Sequence, residues 1–251
     1  MSRTRVHEAL VLSVRSSGES NREATFLTAD EGILRASVFG GPKSKLRAHV
    51  ESMHRGTLWL YYDPVRDSRK VVDFDVRNWR PRLRELLERS LAAAAVAETI
   101  LASHGGGGSW VEALSLADDS LDALEAADEE GSGRTLTRFL WKWADLLGSR
   151  PETESCPRCA CSPAADEVVW YSRREAALLC DACAERSSLE GGTPVSAGAR
   201  RWLSAVEGLG AVQALRVGLD ATSLAQARRF ATEVLAEAFG KRLRTWDGWD
   251  G

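Results

Sequence analysis

An α+β chain, with a small N-terminal β-barrel followed by a mostly α-helical domain that carries an inserted four-cysteine hairpin, is the fold class this sequence predicts. Three observations predict it. The first 80 residues alternate short apolar runs with polar turns, which is the strand signature. From Arg82 onward the apolar period lengthens to the helical one. All five cysteines fall in one stretch of 28 residues, CPRCACSPAADEVVWYSRREAALLCDAC, from Cys156 to Cys183.

The barrel strands come first. His7 to Arg15 and Ala24 to Thr28 flank the polar turn Ser16 to Ser20, and Asp30-Glu-Gly32 leads into Ile33 to Phe39. Beyond a glycine-rich basic loop come Gly56 to Tyr62 and Lys70 to Val76. Five short strands in about 75 residues suit a small closed barrel such as the OB-fold. The helical part opens with Arg82 to His104, where Leu83, Leu86, Leu87, Leu91, Ala94 and Ala95 share a face and Gly105 to Gly108 ends the helix. Further helices are expected over Trp110 to Ala127 and Thr135 to Leu147, the latter stopped by Gly148 and Pro151. Ser196 is placed to cap a helix through Trp202 to Glu207, and Ser223 another to Leu243. The chain is accordingly expected to divide into residues 1–80, an OB-fold domain, and 81–251, the helical domain, with the four-cysteine module inserted at about 154–190.

The cysteine spacing is Cys156-x2-Cys159, 20 residues, then Cys180-x2-Cys183, with Cys161 as an odd member. Two such pairs present four thiolates to one ion, which satisfies tetrahedral zinc and leaves no position for water. One structural Zn²⁺ is therefore expected on Cys156, Cys159, Cys180 and Cys183, and chelation is expected to disorder 156–183 while sparing the rest. Strand-like Glu167 to Tyr171 and Ala176 to Leu179, around the Ser172 to Glu175 turn, make the hairpin. Disulfides are disfavoured by the odd count and by an N-terminus without a signal-peptide apolar run. A redox pair would open a helix after a strand, whereas Cys156 follows a polar loop. Cys161 in place of Cys159 stays open.

Charge is uneven. Residues 1–84 hold 16 Lys and Arg against 10 Asp and Glu, a balance of +6, and the rest is −9, giving the overall −3. A basic module is the footprint of a polyanion partner, and a solvated basic face is the alternative. The segment Phe39 to Arg47 (FGGPKSKLR) lacks the GxxxxGK[ST] pattern of a phosphate loop, and Pro42 has no N–H to offer, so nucleotide binding is rejected. What remains is a turn displaying Lys43, Lys45 and Arg47 at alternating positions, suited to backbone phosphates. Phe39, Trp59, Tyr61 and Tyr62 are candidate stacking platforms, although each taken singly is expected in the core, and alternation separates Tyr62 from Trp59 and Tyr61.

No HExxH, GxSxG or GxGxxG motif appears, and the four histidines read as structural or surface. The acidic stretch Asp118 to Glu130, with Leu116, Leu121 and Leu124 interspersed, reads as a solvated helix face. Trp110, Trp141, Trp143 and Trp202 read as packing, while Trp246 and Trp249 dock on the domain or on a partner. No apolar run is long enough to span a membrane, and a cytoplasmic, nucleoid-associated protein is expected.

The order of parts, together with Glu8-Ala-Leu-Val-Leu-Ser-Val14, Gly18 to Thr28 followed by Glu31-Gly32, Gly40-Gly-Pro-Lys-Ser-Lys-Leu46, Arg138 to Gly148 and Pro194-Val-Ser196, resembles the bacterial recombination mediator family RecO over almost the whole chain. That resemblance implies an OB-fold, a helical domain and, in many members, a zinc module. It also implies binding to single- and double-stranded DNA, annealing of complementary strands, and help in loading recombinase onto strands covered by single-strand-binding protein. The implied partners are RecR and the C-terminal tail of single-strand-binding protein, with no membrane and no small-molecule substrate. Carried over by position, the DNA-binding residues are Lys43, Lys45 and Arg47, with Arg35 added from the preceding strand; Gly41 and Pro42 stand where the family loop is often richer in arginine. No enzyme is expected, since four thiolates close the metal site. The rival reading is a zinc-containing protein-docking module with little direct DNA binding.

Overall fold

The computed structural model describes residues 4–18, 21–41, 43–104, 108–186 and 192–249. Parts of the expected Ser16 to Ser20 turn, Pro42 and Gly105 to Gly107 lie outside them. Five strands, β1 (Thr4–Ser17), β2 (Asn21–Thr28), β3 (Gly32–Val38), β4 (Arg55–Asp63) and β5 (Ser68–Asn78), close into a barrel in the order β1-β2-β3-β5-β4. All pairings are antiparallel except the parallel contact Ser37 to Lys70 that seals β3 against β5. Closure works because β1 is long enough to pair with β2 at one end and β4 at the other, bending at a register shift between Val11 and Ser13. A second shift comes at Gly56, where a side-chain carbon would lie 2.0 Å from the Asp75 carbonyl oxygen, so only glycine fits.

Alternate residues fill the barrel: Val11, Phe26, Leu34, Leu58, Val71 and Phe74 point inward. The intervening Leu10, Leu12 and Leu27 are also buried, because the helices pack on that outer face. This explains why Ala9 to Leu12 reads as a continuous apolar run rather than an alternating one.

A single 3-10 turn, Pro81–Arg84, leads to α2 (Leu87–Ala102), α3 (Trp110–Ala126) and α4 (Glu129–Leu146); the short α1 (Lys45–His49) lies earlier, between β3 and β4. α4 is the centre of the domain, with Phe139, Trp141 and Trp143 fully buried. It begins six residues before the expected Thr135, since Asp128 caps it by accepting from the Gly131 N–H at 2.7 Å. The face expected for α2 holds in part: Leu83 and Ala95 are buried, but the other leucines of that face are not the packing residues. Leu87 is 67% exposed and Leu86 stands at the edge, while Ala92, Ala93, Val96 and Ile100 form the buried stripe, so alanines rather than leucines let α2 approach its neighbours closely.

β6 (Val169–Ser172) and β7 (Ala177–Leu179) form the expected hairpin, and β8 (Thr193–Val195) adds a third strand on the far side of β6. The short α5 (Asp181–Arg186) follows β7. Then come α6 (Ala197–Val206), capped by Ser196 as expected, α7 (Ala211–Ala214), α8 (Ala221–Phe239) and α9 (Arg244–Asp247). Asp220, not Ser223, caps α8, and Gly240 ends it in the left-handed region at φ 64°, short of the expected Leu243. Trp246 docks on the chain itself, buried against Phe239 with its indole N–H 3.2 Å from Thr99 Oγ1. Among the described residues no helix is long and apolar enough to cross a membrane.

Candidate nucleic-acid interface and metal centre

The sulfurs of Cys156, Cys159, Cys180 and Cys183 all lie within 4.8 Å of one another. Four thiolates around zinc at about 2.3 Å would stand about 3.8 Å apart along each tetrahedral edge, and Cys159 and Cys180 are separated by 3.7 Å. The set thus has the donor chemistry and spacing to hold a metal ion. Backbone geometry builds each half. The Ala160 N–H donates to the Cys156 carbonyl and Ala160 is left-handed at φ 57°, folding the first pair into a knuckle. The second pair starts α5, where the Cys183 N–H reaches the Cys180 carbonyl at 3.0 Å. Burial pushes the Cys180 and Cys183 thiols up to about 11. Hydrogen bonds from the Cys161 backbone and thiol hold Cys159 down at about 6. Burial opposes ionisation of Cys156, but N–H groups of Cys180, Arg158 and Cys159 aimed at its sulfur outweigh it and lower its value. Arg186 donates to Cys183 Sγ at 2.8 Å, adding positive charge to an anionic cluster.

The basic segment between β3 and β4 differs from the turn expected of it. Lys45 opens α1, so Lys43, Lys45 and Arg47 do not alternate along an extended strand. Lys43 and Lys45 are exposed and Arg47 is half-buried, its carbonyl accepting from Arg22 at 3.5 Å. Arg35 projects from β3 into a separate cleft of 560 Å³ between barrel and helices, where Arg15 of β1 and Arg69 of β5 join it beside Trp110 and His104, with Glu23 and Glu31 on the same lining. The loop cations do not line this cleft. Arg15 and Arg69 were missed in sequence because register, not spacing, brings three strands' outward arginines together.

None of the four aromatics sits in the core. Phe39 is 50% exposed, Trp59 and Tyr61 are half-buried on the outer surface, since Leu58 and Leu60 take the inward positions of β4, and Tyr62 is half-buried near the end of that strand. Lys70 lies over the Tyr61 ring at 5.5 Å and Arg69 over Tyr62 at 5.2 Å, so these rings are flanked by cations. Alternation places Tyr62 on the same side of β4 as Leu58 and Leu60, opposite Trp59 and Tyr61 as expected, and near the end of the strand its hydroxyl donates to Asp67 at 2.9 Å.

The acidic stretch is not simply solvated. Asp118 and Asp122 on α3 pair with Arg80, Asp118 also with Arg55, and Asp119 with Arg138. It is also broken, α3 ending at Ala126 before Asp128 caps α4. His7, Asp30 and Glu31 bring a second trio of ligand atoms within 4.8 Å, but His7 is bonded to Asp30 at 2.9 Å and Glu31 to Arg5 at 2.5 Å.

The family model for Recombination protein O N terminal matches residues 1–73, and that for Recombination protein O C terminal matches residues 84–247. The chain belongs to the RecO family. It is 28% identical over 253 residues to the DNA repair protein RecO of Myxococcus xanthus, covering 96% of this chain and 94% of that one. With the DNA repair protein RecO of Synechococcus sp. it shares 26% over 247 residues, 91% of this chain and 82% of the relative. With that of Pelotomaculum thermopropionicum it shares 30% over 182 residues, 70% and 67% of the two chains.

One further site of this RecO-family chain escaped sequence reading. Arg138 and Lys142, one turn apart on α4, line a cleft with Leu116, Leu146 and Gly210. Arg138 is buried and donates through Nε to the Leu209 carbonyl at 3.1 Å, yet its Nη1 is buried without a partner. Burial lowers the pKa of both Arg138 and Lys142. In sequence, Arg138 stood out only as the first residue of the Arg138 to Gly148 stretch.

Proposed function

We propose that this protein acts in DNA repair as a recombination mediator without covalent catalysis. It binds single- and double-stranded DNA, anneals complementary strands and assists recombinase loading onto strands covered by single-strand-binding protein. The observation that carries this reading is a closed five-stranded barrel of OB order whose surface gathers Arg15, Arg35 and Arg69 in one cleft and exposes Lys43 and Lys45 beside it in sequence. Annealing needs only cations that screen phosphate repulsion between two strands, and no catalytic group. The pairing of Asp118, Asp119 and Asp122 with arginines supports it further, because acids so engaged repel an approaching strand less.

The division of labour is 1–80 for DNA and 81–251 for structure and partners, with one structural Zn²⁺ on Cys156, Cys159, Cys180 and Cys183 bracing the module at 154–190. When bound, the ion supplies crosslinking free energy to a hairpin too small to hold itself. RecR and the C-terminal tail of single-strand-binding protein are the proposed protein partners. The protein works in the cytoplasm at the nucleoid.

The deciding experiment titrates single-stranded and duplex DNA at several salt concentrations. Each phosphate contact adds about 0.7 to the salt slope on single strands. Replacing Lys43, Lys45 and Arg47 by alanine is expected to lower that slope by about 2, and adding Arg35→Ala by roughly one contact more. An unchanged affinity and slope in the quadruple variant would remove Arg35 and the Lys43 to Arg47 segment as the DNA contact.

A further inference from the structure

Three of the five cysteines are buried and two are exposed. Cys156, Cys180 and Cys183 are 1%, 4% and 2% exposed, whereas Cys159 and Cys161 both face solvent. The two exposed sulfurs lie 3.2 Å apart. Two ligands of one tetrahedral zinc stand about 3.8 Å apart, so this pair is too close to take two corners of one shell and suits one corner used in turn. Nor is Cys161 on a loose tail. Its carbonyl accepts from the Cys156 N–H at 2.9 Å, and the Ala160 N–H returns to the Cys156 carbonyl at 2.8 Å, so 156–161 is a closed loop carrying both sulfurs. Cys161 stands outside the four-sulfur set, but a change of rotamer swings a cysteine sulfur by about 3 Å.

We propose that Cys161 is the reserve ligand of the metal centre, exchanging with Cys159 for the fourth corner, so that one exposed thiol always remains beside a complete four-thiolate shell. This rests on the metal reading above. The exchange moves one proton: the arriving thiol gives it up as it binds, and the departing thiolate takes one from water. Neither sulfur is oxidised. The sequence CPRCAC makes this possible because a single residue between Cys159 and Cys161 keeps both on the same turn.

The test uses the full chain reconstituted with Co²⁺, read by thiolate-to-cobalt charge-transfer absorption, with far-UV circular dichroism as a check on folding. Wild type, C159A and C161A are each expected to bind one ion with equal, four-thiolate intensity. The double variant C159A/C161A is expected to show about three-quarters of it and to lose the ion to a competing chelator about 100-fold more readily. C159A behaving like the double variant would overturn the proposal, as would a loss of intensity in C161A alone. Brief alkylation of the zinc-loaded wild type, mapped by peptide mass, gives a reading that needs no variant. One label per chain divided between Cys159 and Cys161 supports exchange, and a label confined to Cys161 refutes it. A protein that binds no ion even in wild type would sink the metal reading itself, a different failure.

Discussion

Arg80 joins barrel to helices, and its replacement is the most informative perturbation of the fold. Its side chain is 1% exposed and reaches acceptors on three residues: Asp122 Oδ1 through Nε at 2.7 Å, the Met53 carbonyl through Nη1 at 2.9 Å, and the carboxylate and carbonyl of Asp118 through Nη2. Removing one partner of a buried ion pair costs roughly 3–5 kcal/mol. Here Asp118 and Asp122 are 29% and 46% exposed, so water can take over part of the guanidinium's role and the lower end applies. The Met53 carbonyl, left without its donor, accounts for roughly 1 kcal/mol of that. Arg80→Ala should therefore destabilise the protein by about 3 kcal/mol. Arg80→Lys should cost less, because the charge stays while the fork is lost. The backbone provides a second, independent sign. Arg80 sits at φ 47°, in the left-handed region where a Cβ costs about 1 kcal/mol, so Arg80→Gly should be less damaging than Arg80→Ala. Urea unfolding followed by tryptophan fluorescence measures all three. A loss below 1 kcal/mol in Arg80→Ala, or glycine ranking below alanine, would refute the reasoning.

Trp246→Ala removes a 1%-exposed indole bonded to Thr99 and is expected to cost about 3–5 kcal/mol by thermal or urea unfolding; a loss under 1 kcal/mol would mean that the C-terminal segment is not docked on α2. Burial raises Tyr171 to about 12, with Glu237 and Glu233 adding to it. Between its ordinary 10 and that value the unfolded chain loses a proton that the folded chain keeps, so stability should fall as pH rises above 10, by up to about 2–3 kcal/mol. Tyr171→Phe should abolish that part of the slope, and an identical pH profile in the variant would dismiss it. Stripping the metal should disorder the two knuckles, 156–161 and 180–186, while β6 stays pinned through Tyr171 on Phe230 at 5.1 Å. Amide exchange checks this, and loss of protection throughout α4 and α8 would contradict it.

Sequence alone determined the elements whose identity rests on local chemistry. The five strands were legible because polar turns punctuate their apolar runs, and the cysteine hairpin because ligand spacing is set by the geometry of the ion rather than by the rest of the fold. Only the tertiary structure decided where surfaces meet. The cluster of Arg15, Arg35 and Arg69 depends on strand register and barrel closure, and the burial of Arg138 on a helix face that looks polar in sequence depends on what packs against it. Trp59 and Tyr61 turned outward because Leu58 and Leu60 took the inward positions of the same strand, a choice that hydrophobicity does not make between neighbours of similar apolar character. The acids of α3 changed from a solvated face into a joint because Arg55, Arg80 and Arg138 come from distant segments. Spacing along the chain fixes what a residue can bind locally, whereas its partners across the fold are set by packing that no short window contains.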